Sequence, residues 1–482
     1  MRRPSQRDWT SDLEDCSLMG CPSHRVPILK ACRRIHFTGI GGSGMSALAQ
    51  LLNHEGYLVS GSDRGYDRGR TSWLYQKLMR QGIRLIRQDG TQSRMKPDCM
   101  VMTQAVEEDN PEIAAARDLG IRVIKRPELL TSIVNSNQGV AISGSCGKST
   151  TTAMVAQIAE YAGMNPTVLV GAAAYRYQDE MFIGNYRPGS SLIVAEVDES
   201  DGSVENFRPN VAVLTNISKD HFEPAQLINF FMPFLDGADL AVLNGDCHHS
   251  RFLVDRGQHK AVVYGQQGPL EFASFKCRGW HAEFALEGHR FNLPVPGQHN
   301  ISNALCAIAA ARALGISYEV CQRALSEFGG LLRRWNRVET MRGVDVIDDF
   351  AHSPAKIKSA LDTAQYARGR VHAVFQPHGF GPTRFLWDDY VKVFARHLSH
   401  QDSLYLLSIF DAGGTANRTV SSEEMANAIN GIRPSLAQTV DREKLVHDLQ
   451  NVANDGDVVL VMGARDHSLT DLAREIAESL RS

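Results

Sequence analysis

The sequence predicts an α/β protein of three domains: an N-terminal Rossmann-like domain, a central P-loop-type ATPase domain and a C-terminal Rossmann-like domain. Three observations carry this. Short apolar, strand-like runs alternate with helix-periodic stretches along the chain. Glycine-rich strand-to-helix turns open near residues 39 and 144, each of the kind that cradles phosphate. At 482 residues the chain is also too long for one hydrophobic core. The expected division is an irregular extension over 1–32, a first domain over 33–135, a central domain over 136–336 and a C-terminal domain over 337–482.

Composition narrows the function classes. A net charge of −3 from 51 basic and 54 acidic residues gives no global field to recruit nucleic acid or an anionic membrane. No uncharged apolar run reaches membrane-spanning length, so membrane insertion is not expected. The nine cysteines are scattered and mostly embedded in apolar runs, which fits reduced thiols and a cytoplasmic location. Arg2-Arg3 is followed by a polar stretch and does not read as an export signal. In the polar segment 1–32, Cys16, Cys21 and Cys32 lack the spacing and histidines of a zinc module. Nothing in the sequence sets the oligomeric state.

The first domain opens with the apolar run 34–38 and turns through Gly39-Ile40-Gly41-Gly42-Ser43-Gly44-Met45-Ser46, a G-x-G-x-x-G pattern between strand and helix. A second strand, 57–60, delivers Gly61-Ser62-Asp63, an acid about 20 residues beyond the turn, as a ribose partner requires. That fingerprint alone reads as NAD binding. A nucleotide-sugar diphosphate uses the same loop chemistry, so pyrophosphate is specified better than the ligand. Strands 83–86, 99–102 and 121–124 and a helix around 111–119 complete the domain, with a linker at 135–139.

The central domain begins with strand 140–142 and Gly144-Ser145-Cys146-Gly147-Lys148-Ser149-Thr150-Thr151-Thr152, followed by a helix-periodic stretch. Backbone N–H groups of Gly144, Gly147 and Thr150 suit a triphosphate, Lys148 its β/γ charge, and the Ser149 hydroxyl a Mg²⁺ shell. Only two residues separate Gly144 from Gly147, where the common pattern has four. Strand 192–195 runs into Glu196-Val197-Asp198-Glu199-Ser200-Asp201, and strand 211–214 into a segment ending Asp220-His221. Acids and a histidine at the carboxyl ends of strands beside a phosphate loop are positioned for a metal, the alternative being helix capping and a core histidine. Asn300 and Asn303, three apart at the start of a helix, share a face and could offer amides to a base edge, or simply cap the helix. Arg333-Arg334 after a double glycine is a guanidinium brought to phosphate, or a solvated basic turn. The last domain shows strands 344–347, 371–375, 404–407 and 458–461, with Asp348 to Pro354 at a strand's carboxyl end.

These six motifs, in this order and at these intervals, resemble the Mur ligases from about Arg34 to the C-terminus. The resemblance implies three domains that bind UDP-N-acetylmuramate, ATP and a small amine substrate, an amino acid or peptide. It also implies the reaction: ATP phosphorylates a carboxylate and the amine attacks the acyl phosphate. Carried onto this chain, it places Lys148 at the ATP phosphates, Ser149 and Glu196 at Mg²⁺, and His221 at a second metal. It further places His299, Asn300 and Asn303 near the adenine, Arg334 near the phosphates and Asp349 at the nucleotide. Gly39, Gly41, Gly42, Gly44, Met45, Ser46, Ser62 and Asp63 fall to the UDP-sugar, and His352, His378 and Arg384 to the substrates. The chain also departs from the family. Cys146 replaces a common histidine and Arg465 a usual glycine, while Gly379 and Pro382 stand where arginines lie on the amino-acid side. Two expectations follow: Arg384, just beyond, is redeployed to the acceptor's carboxylate, or the acceptor is another amine.

Overall fold

Four hydrogen-bonded sheets follow one another along the chain in the computed structural model, which describes residues 26–69, 72–103, 106, 110–266, 272–411 and 417–481. The extension up to residue 25, with Cys16 and Cys21, lies outside the described residues. Residues 26–32 do not form an irregular tail. Pro27–Leu29 makes a 3₁₀ turn, and Val26 and Leu29 are buried in the first core.

The first sheet is parallel, in the order Arg84–Ile86, Leu58–Ser62, Arg34–Thr38, Cys99–Met102, Arg122–Lys125. The glycine turn leaves its middle strand into helix Ser43–His54. Helix Arg126–Asn135 has no counterpart among the expected elements. Pro127 in its first turn and Glu128 bonding back to Lys125 N–H define its start. It leaves only residues 136–137 before the next strand, so the expected linker is largely helix and strand.

The central sheet has seven strands with Gln138–Ser143 in the middle, between Val211–Leu214 and Leu192–Glu196. Alternate residues of these strands face opposite ways, as the pleat requires. Val140, Ile142, Val194 and Val213 enter one core, against helices Lys148–Tyr161 and Gln298–Ala313. Ala141, Ile193, Ala195 and Leu214 enter another, which is continuous with the core of the first sheet. A three-stranded antiparallel sheet, Phe272–Arg278, His281–Leu286 and His289–Leu293, packs beside the first of these.

The last sheet runs Asn336–Met341, Val344–Asp349, Val458–Met462, Val371–Phe375, Ser403–Leu406, Ala437–Thr439, and is parallel except at its first strand. Its near-continuous apolar strands are covered on both faces, as parallel sheets are. The carboxyl ends of Val344–Asp349 and Val371–Phe375 contribute to a cleft shared with the phosphate loop.

Candidate functional site

The 144–152 loop is a tight turn braced from the next strand. Gly144 has φ +131°, and a Cβ there would lie 2.2 Å from Thr215 Oγ1, so only glycine lets the chain pass. The Ser145 N–H donates to Asn216 O (3.0 Å) and the Cys146 N–H to Asn216 Oδ1 (3.1 Å). Thr215 Oγ1 and Asn216 Nδ2 donate to Cys146 O at 2.6 and 2.9 Å, while Ser145 Oγ donates to Ser218 O at 2.9 Å. Thr215, Asn216 and Ser218 were not among the expected site residues. Their signal was a run of polar side chains directly after a buried strand.

Charge concentrates on the lysine. Lys148 Nζ donates to Glu199 Oε2 at 2.6 Å and to Gly144 O at 2.8 Å, with Asp198 Oδ1 at 3.9 Å. Burial works against its charge, but Glu199 and Asp198 outweigh burial and hold the ammonium well above its ordinary pKa. Burial, with Asp198 adding, pushes Glu199 up to about 7. Against burial, Lys148 and Arg126 hold Asp198 down at about 2. The lysine is thus kept charged over the loop by carboxylates with which a phosphate would compete.

Glu196 ends its strand and lines the same cleft, one oxygen accepting the Gly171 N–H at 2.6 Å. No cluster of three or more His, Cys, Asp or Glu suited to a metal occurs among the described residues. A Mg²⁺ held by nucleotide phosphates needs only one or two protein oxygens. The Glu196 carboxylate and the Ser149 hydroxyl fit that chemistry.

The cleft encloses about 580 Å³. Of the residues expected at the nucleotide, Gly147, Lys148, Ser149, Thr150, Glu196, His221, His299, Asn300, Asn303, Arg334 and Asp349 all line it, as do His352 and His378. Gly144 stands just behind, its carbonyl on the lysine. Several of these side chains are already committed. Asn300 Nδ2 donates to Pro296 O (2.7 Å) and Asn303 Nδ2 to Asn300 Oδ1 (3.3 Å). Both Asp349 oxygens accept backbone N–H groups, from Trp335 (2.6 Å) and Ala351 (2.7 Å), so Asp349 shapes the domain junction instead of presenting a free carboxylate. Burial holds His299 down at about 4, leaving a neutral ring.

The paired arginines divide their work. Arg333, in left-handed conformation at φ +58°, is buried against Asp348 (3.2 Å) and donates to the Gly463 and Ala464 carbonyls at 2.7 and 2.9 Å. Arg334 faces the cleft 3.4 Å from Ser149 Oγ and over the Phe350 ring. Opposite the loop, Lys356 Nζ donates to Asp220 Oδ2 at 2.7 Å and meets His352 Nε2 at 3.2 Å.

A second cavity, of about 320 Å³, adjoins the first domain's glycine turn and is lined by Gly42, Gly44 and Met45 together with Arg126 and Asp201, themselves 3.3 Å apart. Arg126, a candidate diphosphate partner, went unpredicted because it lies on the unexpected helix. Five of the residues expected at this ligand are bonded within the protein instead. Ser46 Oγ donates to Gly42 O (2.9 Å) within its own turn. Ser62 Oγ is buried on Glu112 at 2.7 Å. Asp63 accepts from the Gly41 N–H (2.9 Å), the Gly65 N–H (2.7 Å) and the Tyr75 hydroxyl (2.8 Å), so it braces the turn and is not open to a ribose. The Gly39 and Gly41 N–H groups are likewise spent, on Ser62 O and Asp63. Arg384 is exposed, bonds Thr419 Oγ1 at 3.3 Å and does not line the cleft.

A lysine-bearing phosphate loop whose cleft is completed by a further α/β domain, with a separate dinucleotide-type turn nearby, defines a multidomain nucleotide-phosphate site. The comparisons make this specific. The chain matches the Mur ligase family, catalytic domain, over residues 34–138, the Mur ligase middle domain over 142–311, and the Mur ligase, glutamate ligase domain, over 333–465. It is 35% identical over 472 residues to the UDP-N-acetylmuramate–L-alanine ligase of Solibacter usitatus, covering 93% of this chain and 96% of that protein. With the Aquifex aeolicus protein of the same name it shares 33% over 448 residues, 90% and 95% of the two chains. Among solved structures, the UDP-N-acetylmuramate-alanine ligase MurC of Thermotoga maritima superposes with a TM-score of 0.75 at 26% identity, over 92% of this chain and 98% of that one. The chain belongs to the Mur ligase family.

Proposed function

We propose that this protein joins L-alanine to the carboxylate of UDP-N-acetylmuramate at the expense of ATP, in peptidoglycan precursor synthesis in the cytoplasm. The supporting observation is the whole-length similarity, at 35% identity over 93% of the chain, to ligases named for that reaction. No helix among the described residues is long and apolar enough to cross a membrane.

A carboxylate oxygen of the sugar nucleotide attacks the γ-phosphorus of ATP, the bond to the ADP oxygen breaks, and an acyl phosphate forms. The amine nitrogen then attacks the acyl carbon, inorganic phosphate leaves and the nitrogen sheds a proton. Positioning and charge neutralisation supply most of the acceleration in such chemistry. Lys148 and Arg334, both lining the cleft, would face the phosphates, and the loop's N–H groups and helix dipole add to their field. Glu196 and Ser149, with His221 at a second site, would hold Mg²⁺, which when bound neutralises phosphate charge. His352 and His378, kept neutral by burial, line the acceptor side without adding charge of their own.

Gly379 and Pro382 favour a second reading, a relative that takes a different amine. One assay separates the two. With ATP, Mg²⁺ and UDP-N-acetylmuramate, phosphate release and product mass are followed across a panel of amino acids and peptides. An alanyl product is expected. Phosphate release only with another amine would establish the second reading, and none with any amine would refute both.

A further inference from the structure

The acceptor end of the cleft needs a cation for the amino acid's carboxylate, and Arg384 does not supply it. Four cations line the cleft: Lys148, Arg334, Lys356 and Arg465. The first is held by Glu199, the second stands beside Ser149 and the third is bonded to Asp220. Neither Arg334 nor Arg465 makes an ion pair with a described residue, but Arg334 is placed by Ser149 and the Phe350 ring, whereas no such contact occupies the Arg465 guanidinium among the described residues. Its own neighbour Asp466 is taken, accepting from Arg442 NH2 at 2.7 Å and from the Ser468 N–H at 3.0 Å.

The backbone holding Arg465 is fixed from both sides. Arg333 clasps the Gly463 and Ala464 carbonyls, and Arg442 clasps Asp466. The guanidinium lies toward residue 379: a Cβ built on Gly379 would be 3.8 Å from Arg465 NH1. At this place the chain has glycine at 379 and arginine at 465. The buried His378 beside it has a ring nitrogen, Nδ1, with no hydrogen-bond partner among the described residues. A bidentate donor that lines the cleft and has no partner of its own is a receptor for a small carboxylate.

We propose that Arg465 binds the α-carboxylate of the incoming amino acid, so that the guanidinium absent at position 379 is supplied from the loop after strand Val458–Met462. This rests on the reaction proposed above. Arg465 is exposed and lines the cleft, so its replacement should leave the fold intact, which an unchanged KM for ATP and an unchanged melting temperature would verify.

The test is steady-state kinetics on the wild type and on Arg465→Ala and Arg465→Lys, with alanine and with alaninamide, which lacks the carboxylate charge. Arg465→Ala should raise the KM for alanine about 10- to 100-fold, as loss of a charge-assisted pair predicts, while leaving alaninamide turnover nearly unchanged. Arg465→Lys, a point charge without the fork, should fall between. An unchanged alanine KM in Arg465→Ala, or an equal loss for both substrates, overturns the inference while the reaction stands. A wild type that forms no amide with alanine or any other amino acid overturns the reaction, and the inference with it.

Discussion

Lys148, proposed above to face the ATP phosphates, carries a structural charge with the same atom. Its side chain is only 14% exposed and neutralises the buried Glu199 and, more weakly, the partly exposed Asp198, so Lys148→Ala removes the proposed phosphate ligand and also strands one buried carboxylate. Breaking a buried pair from one side costs about 3–5 kcal/mol. Glu199, lifted to about 7, can take a proton and relieve part of this, so a loss near or below the lower end is expected. Lys148→Met combined with Glu199→Gln should restore most of the stability and none of the ATP turnover. Urea denaturation and phosphate release measure the two separately. Recovery of both, or a stability loss the second change does not relieve, would disprove the dual role. The lysine was legible in the sequence because loop, glycine spacing and helix announce it. Its carboxylate partners read as metal ligands or helix caps, because sequence spacing does not say which of several acids turns toward the loop.

At the scale of elements, the helix Lys148–Tyr161 begins with Ser149 and three threonines, all buried, although hydroxyl and β-branched residues favour helix weakly. Thr152 Oγ1 donates back to Lys148 O at 2.8 Å, and the turn is held by packing against helix Gln298–Ala313. The contact is closest at Gly147, where φ is +85° and a Cβ would lie 2.2 Å from Asn303 Oδ1. Gly163, beyond the end of the same helix, has φ +77° with nothing within 4 Å. Alanine at either site carries the left-handed penalty of about 1–2 kcal/mol. Only Gly147→Ala should also displace Asn303, destabilise further and raise the KM for ATP. Equal KM values in the two variants would show that the close approach does not matter. The glycines stood out in the sequence, whereas their reasons did not: Asn303 is 156 residues from Gly147 and was read as facing a base, not the loop. Arg126 and Arg465 were missed as site residues for a related cause. One sits on a helix with weak periodicity, the other in a turn whose importance comes from an empty place at Gly379.

Across the whole molecule, the three α/β units are not equivalently joined. The core under the first sheet runs without interruption into one face of the central sheet, from Ile35, Leu48 and Leu129 to Ile193, Phe231 and Leu243. Polar clamps reinforce it: Asn185 Nδ2 donates to Ser43 O (2.7 Å) and Ser46 Oγ (2.9 Å), and Gln50 Nε2 donates to Asn185 Oδ1 (2.9 Å). The last sheet has its own two cores, and its aromatic link to the rest is the contact of Trp335 with Trp280, ring centroids 5.5 Å apart. Its other ties are polar, among them the ion pairs of Lys356 with Asp220 at 2.7 Å and Lys219 with Asp389 at 3.6 Å and the hydrogen bond from the Tyr175 hydroxyl to Asn336 Oδ1 at 2.7 Å. Interfaces of that kind give way before continuous apolar cores do, since paired charges regain water while apolar surface does not. The alternation of strands and helices let the three units be read from the sequence. Their unequal coupling could not be, because it depends on which face of each central strand meets the neighbour. Unfolding should therefore proceed in two steps. In native-state hydrogen exchange under rising urea, amides of Arg34–Thr38 and Gln138–Ser143 are expected to lose protection together, and those of Val344–Asp349 and Val458–Met462 at a different concentration. Loss of all four strands in one transition, or separation of the first two from each other, would refute this coupling. The cleft lies across the weaker junction, with the phosphate loop on one side of the seam and Asp349, His352 and His378 on the other, so ATP should bring the two transitions closer together.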